Sequence, residues 1–232
     1  MTGAAKKKHV EEGGEAFAPL PLTSAAYQAE FLLQRRLDRA RISARYAGKT
    51  LENFSARDKP RKMLVHSAQA YVSGFNLKKE AGANGVYPKG LLMTGPVGCG
   101  KSHLAVAILR GVIEKGYSGL YYNSPDLLRD IRSTFEPSSD LTEDDLLEEV
   151  TTVDLLVFDD VGAENATGFV LDRFYLIINE RYEGCKPIIV TTNLNLEELE
   201  NRLGKRIVSR MLEMCEIFGP FPEEDWRRRN LR

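Results

Sequence analysis

Along this 232-residue chain the spacing of hydrophobic and polar positions changes several times, and each change predicts an element. From Ser24, apolar Tyr27, Phe31, Leu32 and Leu33 recur at helical spacing and give way to Arg35, Arg36, Arg39 and Arg41. This predicts a basic amphipathic helix ending between Arg41 and Arg45. Residues 60–80 predict a second helix, stopped by the glycines of Ala81-Gly82-Ala83-Asn84-Gly85. Beyond it, short apolar runs at 90–94, 119–123, 153–160 and 186–193 alternate with amphipathic stretches. Those stretches span 101–116, 125–135 (with Pro125 in the first turn), 169–184, 195–203 and 205–215. Alternation of this kind builds βαβ units, and hence a parallel sheet covered by helices on both faces. The predicted fold class is α/β.

Composition narrows the picture. Hydrophobic residues at 43% and charged residues at 28% suit a globular core. Lys+Arg of 32 against Asp+Glu of 33 excludes a uniformly basic nucleic-acid coat but allows local patches. Cys99, Cys185 and Cys215 lie far apart, which argues against a disulfide framework or structural zinc and for reduced cytosolic thiols. The N-terminus is charged where a signal peptide would be apolar, and no uncharged run nears about 18 residues. A soluble, cytoplasmic protein with no membrane partner is expected. Residues 1–22, with Lys6–Lys8, Gly13-Gly14, Pro19 and Pro21, read as a mobile arm.

The chemistry starts at Gly95-Pro96-Val97-Gly98-Cys99-Gly100-Lys101-Ser102, a complete GxxxxGK[ST] between an apolar strand and an amphipathic helix. Glycines there let backbone N–H groups turn inward around phosphates, and the helix start adds its positive dipole end. Lys101, expected at the surface, would reach the β/γ-phosphates, and the Ser102 hydroxyl would ligate Mg²⁺. The candidate nucleotide contacts run from Gly95 to His103. Cys99 is filler at a permissive position, and His9, His66 and His103 share no spacing for a metal or triad. The run 155–160 ends in two carboxylates. Asp159 would bind Mg²⁺, and Asp160 would orient or deprotonate the attacking water. Aspartate reaches one methylene less far than glutamate, so slow hydrolysis is expected; Glu164 is a weaker candidate for the same role. Asn193, after Thr191-Thr192, could bond both the γ-phosphate and the lytic water, or simply start a turn.

In this order and spacing, GPVGCGKS, LLVFDDVGAE, IIVTTN and LGKRIVSRM resemble the AAA+ ATPases of the bacterial helicase-loader group. That group includes DnaC-like and DnaI-like loaders and IstB-like transposition helpers. The resemblance extends upstream to 41–46 and 50–54 and covers roughly 41–215. It implies a five-stranded parallel sheet with the TTN strand between the phosphate-loop and Asp159 strands, and a reduced C-terminal lid. A short N-terminal helical extension over 1–45 would precede an ATPase domain over 46–232. It also implies ATP as the nucleotide, a replicative helicase and single-stranded DNA as partners, and ATP-dependent homo-oligomers. Arg129, Arg132 and Phe135 fall where the family lines a DNA channel. They could grip phosphates and stack a base, or form a surface helix with Phe135 buried. From Glu136 to Glu164 there are eleven acidic residues and no Lys or Arg, which confines any DNA contact to that helix. Arg227–Arg229 form a second basic patch or a solvated tail. Arg210, supported by Arg206, matches the family's arginine that reaches into a neighbouring subunit's site, or the two form an i,i+4 basic face paired with Glu213 or free in solvent. The rival functions are a transposition helper that recruits a transposase and a small-molecule P-loop kinase, which would need an arginine-rich lid.

Overall fold

The computed structural model describes residues 25–77 and 88–226. The arm over 1–22, the glycines of 81–85 and Arg227–Arg229 lie outside them. Helix α1 (Ala25–Arg39) and α2 (Lys59–Gly74) precede β1 (Gly90–Thr94) and α3 (Lys101–Glu114). Then come β2 (Gly119–Asn123), α4 (Ser124–Ser133), α5 (Glu143–Thr152), β3 (Leu155–Asp159) and α6 (Gly168–Glu183). Strand β4 (Ile188–Thr192), α7 (Leu196–Leu203), α8 (Lys205–Met214) and β5 (Cys215–Ile217) complete the order. The five strands form one sheet, β2-β3-β4-β1-β5, with every pairing parallel. Strand β4 thus lies between β1 and β3, as the family resemblance implies.

Alternation along each strand divides the core between the two faces. Leu92, Leu120, Tyr122, Leu156, Phe158, Ile188 and Val190 pack on one side with α4, α5, α6 and α8. Leu91, Met93, Tyr121, Leu155, Val157 and Ile189 pack on the other, chiefly against α3 and α2. Both faces are buried, which is why these strands read as unbroken apolar runs.

Besides end shifts of one or two residues, among them α4 stopping at Ser133 so that Phe135 lies just past the helix, three boundaries differ for reasons the structure shows. Helix α1 stops at Arg39 because Ala40 is buried and its carbonyl accepts from the Tyr121 N–H at 2.8 Å; Arg41 then turns through φ 54°. Helix α2 stops at Gly74, not near residue 80, because Phe75 packs against Tyr117 and Lys115 satisfies the end of the helix. The Lys115 ammonium donates to Val72 O, Ser73 O and Phe75 O at 2.7, 2.8 and 2.9 Å, closing carbonyls that a helix end leaves open. The predicted helix over 205–215 gives up Cys215 to β5, whose pairing with β1 starts at Gly90.

Helix α5 was not anticipated, although Thr142 and Asp145 form a reciprocal capping box at its start. Its far end depends on Arg181, which is fully buried in α6. That guanidinium donates to the carbonyls of Val150, Thr151, Val153 and Pro187, at 2.6 to 3.3 Å. Burial lowers its pKa to about 9, yet four carbonyl partners hold the proton at neutral pH. One side chain thereby joins the end of α5 to the segments that enter β3 and β4.

Candidate nucleotide-binding site

The carboxyl ends of β1, β3 and β4 meet at one edge of the sheet, the position at which open α/β sheets bind ligands. Between them lies a cleft of about 670 Å³, within the range of small-ligand sites. The phosphate loop leaves β1 through Gly95, Gly98 and Gly100 at φ 149°, 77° and 108°. A side chain would strain the backbone at the last two. At Gly100 a Cβ would also come within 2.7 Å of the Phe54 ring. No side chain caps α3, so its first N–H groups remain available to an anion.

Lys101 corrects one expectation: it is 6% exposed rather than on the surface. Its ammonium donates to Gly95 O at 2.6 Å, Pro96 O at 2.8 Å and Asn193 Oδ1 at 2.8 Å. Desolvation lowers its pKa from the usual lysine value. Asn193 in turn donates from Nδ2 to Asp160 Oδ1 at 2.8 Å. The amide therefore bridges the lysine of one motif and the carboxylate of another, 92 and 33 positions away along the chain.

Two residues that sequence reasoning missed hold Asp159. The buried Tyr121 hydroxyl donates to Oδ2 at 2.7 Å, and the Thr191 hydroxyl donates to Oδ1 at 2.5 Å. Burial and the neighbouring carboxylate push the Tyr121 pKa far upward, so the phenol stays a donor. Thr191 Oγ1 also accepts from the Asp160 N–H at 2.9 Å. Asp160 itself sits at φ 56°, a left-handed turn that aspartate tolerates better than most residues and that leads the chain sharply away from β3. Glu164 is engaged elsewhere: it accepts from Ser124 Oγ at 2.6 Å and from the Gly162 N–H at 3.1 Å.

The remaining predicted contacts divide clearly. Val97, Cys99, Ser102 and His103 line the cleft with Gly98 and Gly100, whereas Gly95 and Pro96 do not line it and reach the site through their carbonyls on Lys101. His103 also secures the lead-in segment, since Nε2 donates to Thr50 O at 2.9 Å and Phe54 meets its ring at 5.1 Å. Burial lowers the His103 pKa, in keeping with a neutral donor. Arg45, Tyr46, Lys49 and Asn53 complete that end of the cleft. Arg206 and Arg210 are outside it, on α8, with guanidiniums 5.0 and 5.2 Å from the Tyr175 ring centre.

On α4, Arg129 is 70% exposed and paired with Asp126 and Asp130 at 2.7 and 3.3 Å, which raises its pKa. Phe135 is 56% exposed rather than buried. It meets Phe169 edge-on at 6.1 Å, and Arg132 lies 5.8 Å from that same ring. Phe169, at the start of α6, is a member of this patch that the local pattern could not suggest. Among the described residues, no helix is long and apolar enough to cross a membrane.

Comparison with known proteins identifies relatives of the whole chain and of its fold. The replicative helicase loader DnaC of Escherichia coli (strain K12) is 28% identical over 211 residues, spanning 90% of this chain and 82% of that protein. The crystal structure of the DnaC helicase loader superposes with a TM-score of 0.65 at 28% identity, over 76% of this chain and 98% of that one. A structure of DnaI, 23% identical, shares the fold with a TM-score of 0.63, over 76% of this chain and 93% of that one. A family model matches residues 86–230, from just before β1 to past the last described residue, and the chain therefore belongs to the IstB-like ATP binding protein family.

Proposed function

We propose that this protein is an ATP-dependent helicase loader, which binds single-stranded DNA and a replicative helicase and uses ATP hydrolysis to switch its grip on them. What carries this reading is the likeness to DnaC, which spans 90% of this chain and 82% of that protein.

The cleft supports the hydrolytic part. Mg²⁺ would take Ser102 and Asp159 from the protein; among the described residues no cluster of three or more acidic, His or Cys side chains offers a fuller cage. Sparse protein ligation suits an ion that keeps waters and phosphate oxygens, and when bound it neutralises charge on the β- and γ-phosphates. The loop N–H groups would cradle the phosphates. Lys101 would leave the Gly95 and Pro96 carbonyls for phosphate oxygens. Asp160 would accept a proton from water attacking the γ-phosphorus, as the bond to the β,γ-bridging oxygen breaks and yields ADP and phosphate. Asn193 contacts both Lys101 and Asp160, so movement of the lysine onto a phosphate frees its carbonyl oxygen to orient that water.

A tagged full chain is expected to retain the host replicative helicase with ATP and to release most of it with ADP. No retention in either state would overturn the reading. The family model, described as IstB-like, favours a second reading in which the chain assembles on duplex DNA and recruits a transposase. Retention of a transposase on duplex DNA without helicase would decide for it.

The DNA contact has its own test. Each phosphate contact to a single strand contributes about 0.7 to the salt slope of log affinity. Arg132→Gln should lower the slope by about that amount with ATP present, as read by fluorescence anisotropy. Arg129→Gln should do less, because Asp126 and Asp130 already oppose its charge. An unchanged slope in the Arg129→Gln/Arg132→Gln double variant would remove α4 from the DNA path.

A further inference from the structure

We infer that Trp226 is a nucleotide-contacting residue, carried into the cleft by the segment that follows β5 and forming a flat wall against the base of the bound nucleoside triphosphate. This rests on the nucleotide reading of the cleft and adds to it a residue 124 positions beyond the end of the phosphate-loop motif at Ser102.

The segment over 218–226 is tied down along its length. Phe218 and Phe221 are buried in the core beside β1. The Phe218 N–H donates to Leu92 O at 2.9 Å, and Glu224 pairs with Arg61 at 3.2 Å. At its end the Trp226 N–H donates to Gly98 O, inside the phosphate loop, at 3.1 Å. The crossing is close enough to constrain the loop itself. A Cβ on Gly95 would sit 3.2 Å from Phe221, and one on Gly98 would collide with Asp225 at 1.9 Å. Gly98 is required by its φ of 77°, and a Cβ there would also displace the Asp225 carboxylate.

The position of the ring identifies its ligand. Lys101, Asp159, Asp160 and Asn193 mark the phosphate end of the cleft, so a nucleoside must extend toward the opposite end, lined by the lead-in segment and the start of α2. Trp226 belongs to that second end. Its ring lies 5.2 Å from the Arg57 guanidinium and 5.8 Å from that of Arg61. Arg61 has only 5% of its side chain exposed and is held by Asp58 and Glu224. Two cations at such distances steady an indole through its π-system, and its flat apolar surface at the cleft wall is of the kind on which a planar heterocycle stacks.

This is the sole tryptophan of the chain, so selectively excited emission reports on one site. Titration of the full chain with Mg-ATP should quench that emission, with the same midpoint as displacement of a fluorescently tagged ATP. Trp226→Ala should weaken ATP binding about tenfold, the size of one lost base–aromatic stack. It should leave the affinity for inorganic triphosphate, which has no base, unchanged; that arm also shows that the phosphate loop survives the substitution. Trp226→Phe should recover most of the ATP affinity. Emission unmoved at saturating tagged ATP, undiminished ATP affinity in Trp226→Ala, or equal losses for ATP and inorganic triphosphate would each overturn the base contact while leaving the nucleotide site standing. A wild-type chain that binds neither compound would overturn the site itself, and this inference with it.

Discussion

A Lys101→Ala chain is expected to bind ATP at least about a hundredfold more weakly than wild type while keeping its fold, the loss typical when one partner of a desolvated charged contact is truncated. Burial makes the second half of that expectation a real question. The side chain is nearly covered, and its ammonium satisfies two loop carbonyls and the Asn193 amide. Removing it relieves a desolvated cation but leaves three acceptors. Those acceptors border an open cleft where water can replace the lysine, so stability should change by no more than about 1 kcal/mol. Calorimetric titration with ATP and thermal unfolding measure the two effects separately. Equal affinity in mutant and wild type would sink the assignment of the loop.

Arg210→Ala is expected to lower ATP hydrolysis by about a thousandfold under assembling conditions, the scale of an arginine acting on a transferred phosphoryl group. Its own ATP binding should be intact, because Arg210 does not line the cleft of its chain. The surroundings of Arg210 agree with a group held ready for another surface. Glu213, the obvious ion-pair partner on the same helix, instead accepts from the Tyr182 hydroxyl at 2.8 Å. The guanidinium lies 5.2 and 5.6 Å from the Tyr175 and Tyr182 rings. Action across subunits makes two further demands. Hydrolysis per subunit should rise with protein concentration, and mixing Arg210→Ala with Lys101→Ala chains should recover activity. In the mixture, the intact loop of the first can receive the arginine of the second. A wild-type rate for Arg210→Ala alone would exclude this role.

Much of the site could be read in advance because its chemistry is written in contiguous stretches. Phosphate binding needs one loop between a strand and a helix, so Gly95–Ser102 is recognisable wherever it stands. The acidic and amide positions follow apolar runs that are unbroken because their strands are covered on both faces, which placed Asp159, Asp160 and Asn193 at strand ends. Elements escaped where the local signal was weak or overruled. Strand β5 has three residues and one buried position, too few to show a period. Helix α2 ends on Gly74, a stop signal that the sequence carried, and its last carbonyls are closed by Lys115, brought from the end of α3.

The sequence by itself determined the α/β class, four of the five strands, the phosphate loop and the identity of the residues at its acidic and amide corners. Each of these depends on local periodicity or on a motif whose parts are neighbours along the chain. Only the tertiary structure decided that Lys101 is buried, that Tyr121 and Thr191 hold Asp159, that Phe169 joins Arg132 and Phe135, and that the chain past β5 returns to bring Trp226 against Gly98. These contacts join distant segments through strand order, and a tyrosine, a threonine or a tryptophan looks the same in a sequence whether it fills a core or aims a carboxylate. Side-chain chemistry is a property of the residue, but the partner that gives it a function is chosen by the fold.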